Sequence, residues 1–438
     1  MPHERNRLRS DAATTRRRFL KTGAAASAAV LAASVSAPAV GAAGAAGANE
    51  RLGVGFIGCG GRSGSHMNVI RHLRDQQKVP VTHVAFCDAY RPRREAAAKK
   101  FGGKTYADYR DLLADASVDI VCIATPDHHH ARQTIDAVRA GKDVYVEKPV
   151  THWRQFDLLK QMAHAVADSG RAVQVGTQGM SDRVWHQMRR LVADGLIGRP
   201  IHADCGYFRV GDWGERGMRV DDPKARPGKD LDWEAFLGDA PKRDFDVSRF
   251  FCWRLYADYA GGPSTDLFPH SLTPVWHVLG FGFPEKVVAT GGMFRYPDPP
   301  RDVPDTFNTL IDFPEKCTVA VLGTQGNNDP TSAGRGAGQR MPTVRGWDGS
   351  LTVEGKEIVF APAQGVKDKP RQRIPIEQGE NQGDHWMNLI QCVREGRRDL
   401  FSPMSLQYAV QTALIMGMWS LRDGKTARFD AKKEEIIL

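Results

Sequence analysis

Glu147-Lys148-Pro149 closes the apolar run Val144-Tyr145-Val146, and about 90 residues earlier the turn Gly58-Cys59-Gly60-Gly61 closes the run Leu52 to Ile57. A lysine ending such a run stands at the carboxyl edge of a parallel sheet, where open α/β folds bind their ligands. A glycine turn after a first strand lets the backbone approach a pyrophosphate, which then meets the free N–H groups of the following helix. Together they place a cation beside a dinucleotide. The turn departs from the strict spacing, because Ser63 stands third, with Gly64 one residue on. Serine is small enough for close packing, so Gly58, Gly60, Gly61, Arg62 and Ser63 form the expected cofactor-binding segment. Asp88 ends the next apolar run, and a carboxylate there accepts both ribose hydroxyls of NAD and repels a 2′-phosphate. Arg91, Arg93 and Arg94 follow at once and suit a 2′-phosphate. The sequence favours NAD and leaves NADP possible.

Thr125-Pro126-Asp127-His128-His129-His130 follows a third run. Three histidines invite a metal, but adjacent side chains diverge and no H-E-x-x-H pattern accompanies them. The expectation is a loop under the cofactor, with Thr125, Pro126 and His130 contacting it, His130 opening a helix, and no metal. Asp266 and His270 stand four apart and share a face if helical. Histidine can take an alcohol proton near neutral pH, an aspartate can orient substrate or imidazole, and Lys148 can stabilise developing alkoxide charge. Thr177 and Gln178 follow a strand where they would reach nicotinamide or substrate. Trp253, Arg254, Asp258 and Tyr259 read as a wall for a polyhydroxylated ring.

The elements that must position these residues alternate. Leu52–Ile57, Val81–Cys87, Val118–Ala124 and Asp143–Glu147 read as strands; 62–74, 92–101, 108–113 and 130–140 read as helices. That rhythm predicts βαβ units and a parallel Rossmann sheet. After Thr151 come helices over 156–168 and 183–194, a short strand over 172–176, and longer alternating segments over 201–210, 284–294, 306–313 and 318–323. These predict an α+β second domain with an open mixed or antiparallel sheet. The segment 211–254 reads as a functional arm or lid, 326–349 as a mobile loop, and 385–421 as a helical return. The expected division is leader 1–48, Rossmann domain 49–175 and second domain 176–438.

Residues 1–49 carry seven cations and two carboxylates, which account for five of the nine net positive charges. The remaining surplus is mild and unclustered, so nucleic acid is not expected as a partner. Thr15-Arg16-Arg17-Arg18-Phe19-Leu20-Lys21, followed by an Ala-rich stretch and Ala37-Pro38-Ala39, reads as a twin-arginine signal with a cleavage site. The expected location is periplasmic or extracellular, with the twin-arginine machinery as a partner. Seven scattered cysteines form no disulfide or zinc framework.

Taken in order, the Gly58 turn, Thr125-Pro126 with His130, the segment Gly141 to Pro149, and Gly261-Gly262-Pro263-Ser264-Thr265-Asp266-Leu267-Phe268-Pro269-His270 resemble the Gfo/Idh/MocA family over nearly the whole chain beyond the leader. The resemblance implies a Rossmann domain binding NAD or NADP and a C-terminal open-faced sheet for substrate and homo-oligomer contacts. It maps the family's catalytic group onto Lys148, Asp266 and His270, and places Glu147 and Lys148 beside the cofactor together with Gln178. The expected activity is an exported NAD(P)-dependent oxidoreductase acting on a sugar, sugar acid or glycoside with a retained cofactor. An NAD-dependent glycosidase working by transient oxidation and elimination is the alternative, and a non-catalytic binding protein the second.

Overall fold

A computed structural model describes residues 51–211, 218–298, 300–329, 334–335, 338–379 and 381–438, so the leader lies outside the described residues. From Leu52 the chain alternates as its apolar runs require: β1 (Leu52–Ile57), α1 (Gly61–Asp75), β2 (Val81–Cys87), α2 (Arg91–Phe101), β3 (Lys104–Tyr106), α3 (Tyr109–Ala114), β4 (Ile120–Ile123), α4 (Asp127–Arg139), β5 (Asp143–Val146), α5 (Phe156–Ser169) and β6 (Val173–Val175). The six strands form one parallel sheet in the order β3-β2-β1-β4-β5-β6. Every residue of β4 and β5 is buried, as expected of strands covered on both faces. The strand order reverses between β1 and β4, so the loops after these strands splay apart and leave a crevice.

The second sheet has eleven strands. The chain runs through α6 (Arg183–Ala193), β7 (Pro200–Phe208), α7 (Trp233–Leu237), α8 (Val247–Phe251), α9 (Pro263–Asp266), α10 (Phe268–Leu279), β8 (Lys286–Gly292), β9 (Thr306–Phe313), β10 (Cys317–Thr324), β11 (Gly334–Arg335), β12 (Gln339–Gly346), β13 (Gly349–Glu354), β14 (Glu357–Pro362), β15 (Gln372–Pro375), α11 (Gln382–Glu395), α12 (Met404–Asp423), β16 (Ala427–Asp430) and β17 (Glu435–Ile437). The order is β15-β14-β13-β12-β7-β10-β9-β8-β16-β17, with β11 on β12. Among the described residues of this sheet, only β7 and β10 pair in parallel. One face, with Val287, Ile311, Val319, Ala203 and Val344, is buried in a core shared with α10 and α12. The opposite face carries exposed Val288 and Leu310. The expected pair of architectures is present.

Several local expectations are corrected. The stretch 326–349 holds β12, a central strand between β7 and β13. Its polar residues Arg340 and Arg345 pair across the sheet with Asp204, which hides the alternation of a half-buried strand. The return helix is two helices, because Gly396 ends α11 in the left-handed region (φ 65°). Trp386, Leu389 and Ile390 of α11 then pack with Val54, Phe56 and Tyr145, so a distant segment completes the Rossmann core. The segment between β7 and α9 has its own small core, where Leu231, Trp233, Phe236, Phe250 and Phe251 pack with Tyr90.

Candidate active site

The glycine turn is dictated by space as well as by conformation. Gly58 has φ +82°, and a Cβ there would lie 2.7 Å from the Ala124 carbonyl oxygen. Helix α1 starts at Gly61, and the amide of Gly64 donates to the Gly60 carbonyl (2.9 Å). The amides before it have no partner within the helix, and the dipole adds positive potential there. Nothing lies within 4 Å of a Cβ built on Gly61. Asp88 closes the turn from the other side, with Oδ2 accepting from the Cys59 amide (2.7 Å) and Oδ1 from the Tyr90 amide (2.8 Å). A cavity of about 960 Å³ opens here, lined by Gly58, Gly60, Gly61, Arg62, Asp88, Thr125, Pro126, His130, Glu147 and Lys148. A cradle that side chains would fill, with unpaired amides and a carboxylate at its far end, fits a dinucleotide. Ser63 is buried behind the turn and does not line the cavity.

Glu147 anchors the near wall. Its Oε1 accepts from Arg62 Nε (2.6 Å) and His66 Nε2 (2.8 Å). The Trp386 indole donates to His66 Nδ1 (2.9 Å), which fixes the neutral His66 tautomer with its proton on Nε2. Burial opposes ionisation of Glu147, but the Arg62 charge and the His66 hydrogen bond outweigh it and hold the carboxyl well below the usual range. The carboxylate sits so close to the next strand that a Cβ on Gly176 would lie 2.8 Å from it. Arg62 and His66 are four apart on α1, a spacing that marks them as neighbours, yet His66 was missed at the level of sequence. Gln178 accepts from Arg62 Nη2 (3.3 Å) and stands behind Arg62 rather than on the cavity wall.

Across the crevice, Lys148 Nζ donates to the Asp266 carbonyl oxygen (2.5 Å) and to Asp266 Oδ1 (2.8 Å). Arg254 Nε lies 3.3 Å from the same carboxylate and Arg209 Nη2 3.7 Å from it. Burial would raise the Asp266 pKa, but Lys148 and Arg254, with Arg209, drive it well below the carboxylate range. Asp266 therefore holds the lysine, and no hydrogen bond joins it to His270 among the described residues. It ends α9, while His270 sits in the first turn of α10, and the one residue between the two helices, Leu267, keeps the right-handed helical conformation. Neither ring nitrogen of His270 has a hydrogen-bond partner among the described residues. Burial, and then the charge of Lys148, push its pKa down to about 3, so the ring is neutral near pH 7.

Other expectations divide. Helix α4 begins at Asp127, three residues early, because Pro126 at its N-cap has the extended conformation. All three histidines then fall in its first turn and face carbonyl oxygens. His128 Nε2 and His129 Nε2 lie 2.8 and 2.7 Å from that of Phe236. His130 sits between those of Pro149 (2.6 Å) and Thr125 (2.8 Å), tying the loop after β4 to the loop after β5. Thr177 is buried against Ser402 (2.7 Å) and cannot reach a ligand. Trp253 and Arg254 line the cavity; Asp258 is spent on Arg154, Arg243 and Arg249, and Tyr259 is buried. Arg209 and Asp127 were not singled out from sequence. Asp127 is buried beside Thr265 (3.4 Å), and burial raises its pKa to about 7 despite Arg254.

Comparison with known proteins agrees with this geometry. Residues 52–177 match the model described as oxidoreductase family, NAD-binding Rossmann fold, and residues 181–289 match that of the same family's C-terminal alpha/beta domain. Inositol 2-dehydrogenase 1 of Saccharopolyspora erythraea is 35% identical over 154 residues, which is 35% of this chain and 44% of that protein. Inositol 2-dehydrogenase of Rubrobacter xylanophilus is 30% identical over 207 residues, 47% of this chain and 53% of that one. The chain thus spans about half the length of the curated relatives it matches. A levoglucosan dehydrogenase solved with NADH and levoglucosan shares the fold at 20% identity, with a TM-score of 0.65 over 86% of this chain and 99% of that chain. With the NAD cradle in its first domain and both family models matched over more than half its length, the chain belongs to the Gfo/Idh/MocA oxidoreductase family.

Proposed function

We propose that the protein oxidises a carbinol carbon of a sugar, sugar acid or related polyol. The observation that carries this reading is the Lys148–Asp266 pair, which sets an ammonium from the Rossmann domain against a carboxylate from the second domain beside the glycine turn. Bound NAD supplies a hydride acceptor. Two of the three Lys148 N–H donors are fixed by Asp266, which leaves the third for a substrate oxygen. His270 presents a neutral ring whose open nitrogen can accept a hydrogen bond from the substrate hydroxyl. Trp253 and Arg254 offer an aromatic face and a donor fork to further hydroxyls. The inositol dehydrogenases among the relatives support a polyol substrate.

The Arg16-Arg17 leader supports export through the twin-arginine pathway. A chain that crosses already folded would carry its nucleotide with it. The exposed Val288 and Leu310 on the open sheet face support a second copy docking there. The test is to release the nucleotide from purified protein, identify it by mass spectrometry, and screen inositols, anhydrosugars, sugar acids and glycosides for reduced nicotinamide. NAD, and reduction by at least one polyol, are expected. Cleavage of a chromogenic glycoside with no net reduction would move the assignment to transient oxidation and elimination; absence of nucleotide would overturn both.

A further inference from the structure

Three arginines follow Asp88, in the position from which an NADP-binding site holds the 2′-phosphate. All three are engaged. Arg94 Nη1 donates to the Asp88 carbonyl (2.7 Å). Arg91 Nε donates to Asp230 Oδ1 (2.7 Å). Arg93 lines the cavity beside the glycine turn, its Nη1 3.6 Å from where a Gly60 Cβ would stand, and its Nε donates to Asp221 Oδ2 (2.7 Å) with the guanidinium over the Phe251 ring. Asp221 and Asp230 both belong to the segment between β7 and α9.

That segment is built onto the residues just beyond Asp88. The Asp232 amide donates to the Ala89 carbonyl (2.9 Å), Tyr90 bridges to Leu231, and the Arg91 amide donates to the Asp230 carbonyl (2.8 Å). The register carries Asp230 to Arg91, and the chain before it carries Asp221 to Arg93. Both oxygens of Asp88 are meanwhile held by backbone amides, so its charge is fixed at the same end of the cavity.

We propose that Asp221 is a positioning residue for cofactor choice: by holding Arg93, with Asp230 holding Arg91, it neutralises the cations that would bind a 2′-phosphate and leaves a ribose site that accepts NAD and refuses NADP. The proposal rests on the reading of the cleft as a dinucleotide site. A free arginine at this place would form charge-assisted bonds to phosphate; one already paired with a carboxylate brings no net charge, and Asp88 then dominates.

The test measures dissociation constants for NAD and NADP on the full chain after nucleotide exchange, by calorimetry, with no substrate present. Wild type should prefer NAD. Asp221→Asn should shift the NADP to NAD affinity ratio toward NADP by about tenfold or more. The double variant Asp221→Asn with Arg93→Ala should lose that gain, which separates release of Arg93 from mere loosening of the segment. An unchanged ratio in Asp221→Asn, a gain that survives in the double variant, or a wild type that prefers NADP would overturn the proposal. A wild type that binds neither nucleotide would instead sink the reading of the cleft.

Discussion

Lysine has three N–H donors, and Asp266 takes two of them, so the chemistry proposed for Lys148 depends on a group that need not touch substrate. Asp266→Asn should lower kcat through a misplaced ammonium while bound NAD remains, which steady-state kinetics and nucleotide content would separate. His270→Ala should cut turnover by roughly 10² to 10⁴ with fold and nucleotide intact; unchanged turnover on an identified substrate would remove His270 from the site. Glu147 makes a different demand, because its charge is buried and rests on Arg62 and His66. Arg62→Ala leaves that carboxylate with only the neutral imidazole, and the loss should be about 3 kcal/mol in denaturant unfolding. A loss near zero would show that water or another cation reaches Glu147.

The elements around the turn separate two uses of glycine. Gly58→Ala meets a positive φ and the Ala124 carbonyl together, so it should cost about 1–3 kcal/mol and empty the site. Gly61→Ala meets only open space at a helix start, and should leave stability unchanged or higher while weakening NAD. Unfolding midpoints and nucleotide content check both, and equal losses of stability would contradict the distinction. The parallel strands were legible because β1, β2, β4 and β5 are apolar runs punctuated by Gly, Asp, Pro and Lys. The meeting of Lys148 with Asp266 was legible through the ordered motifs around them. β12 was not, since its Arg345 finds its partner Asp204 141 positions earlier, on a strand no local pattern connects to it, and Arg340 pairs with the same carboxylate. Nor was the interruption at Leu267, a single residue in the right-handed helical region that separates α9 from α10. Arg209 reaches Asp266 only through tertiary packing, and nothing in its neighbourhood in sequence announces it.

At the scale of the whole molecule, burial keeps a set of histidines neutral. Burial lowers His83, His129 and His385 to about 4, and His152, His270 and His277 to about 3. The unfolded chain protonates each near 6.5. Between pH 6.5 and about 4 the unfolded state therefore binds more protons, and stability falls as pH falls through that window. Asp127, raised to about 7, works in the opposite sense, as do Asp143 and Asp302, but the six histidines outnumber them. Thermal unfolding at pH 5 should occur at least about 5 °C below that at pH 7, and an equal or higher midpoint would contradict the buried, neutral assignment. The central claim is that Lys148 and His270 act on a substrate poised beside bound NAD. Its most direct test is a single-turnover experiment in which NAD-loaded protein is mixed with a polyol and the near-ultraviolet absorbance of reduced nicotinamide is followed. The account predicts a burst approaching one equivalent per chain for wild type and a rate lower by at least about 10² in both Lys148→Ala and His270→Ala; bursts of equal rate in wild type and both variants would contradict it.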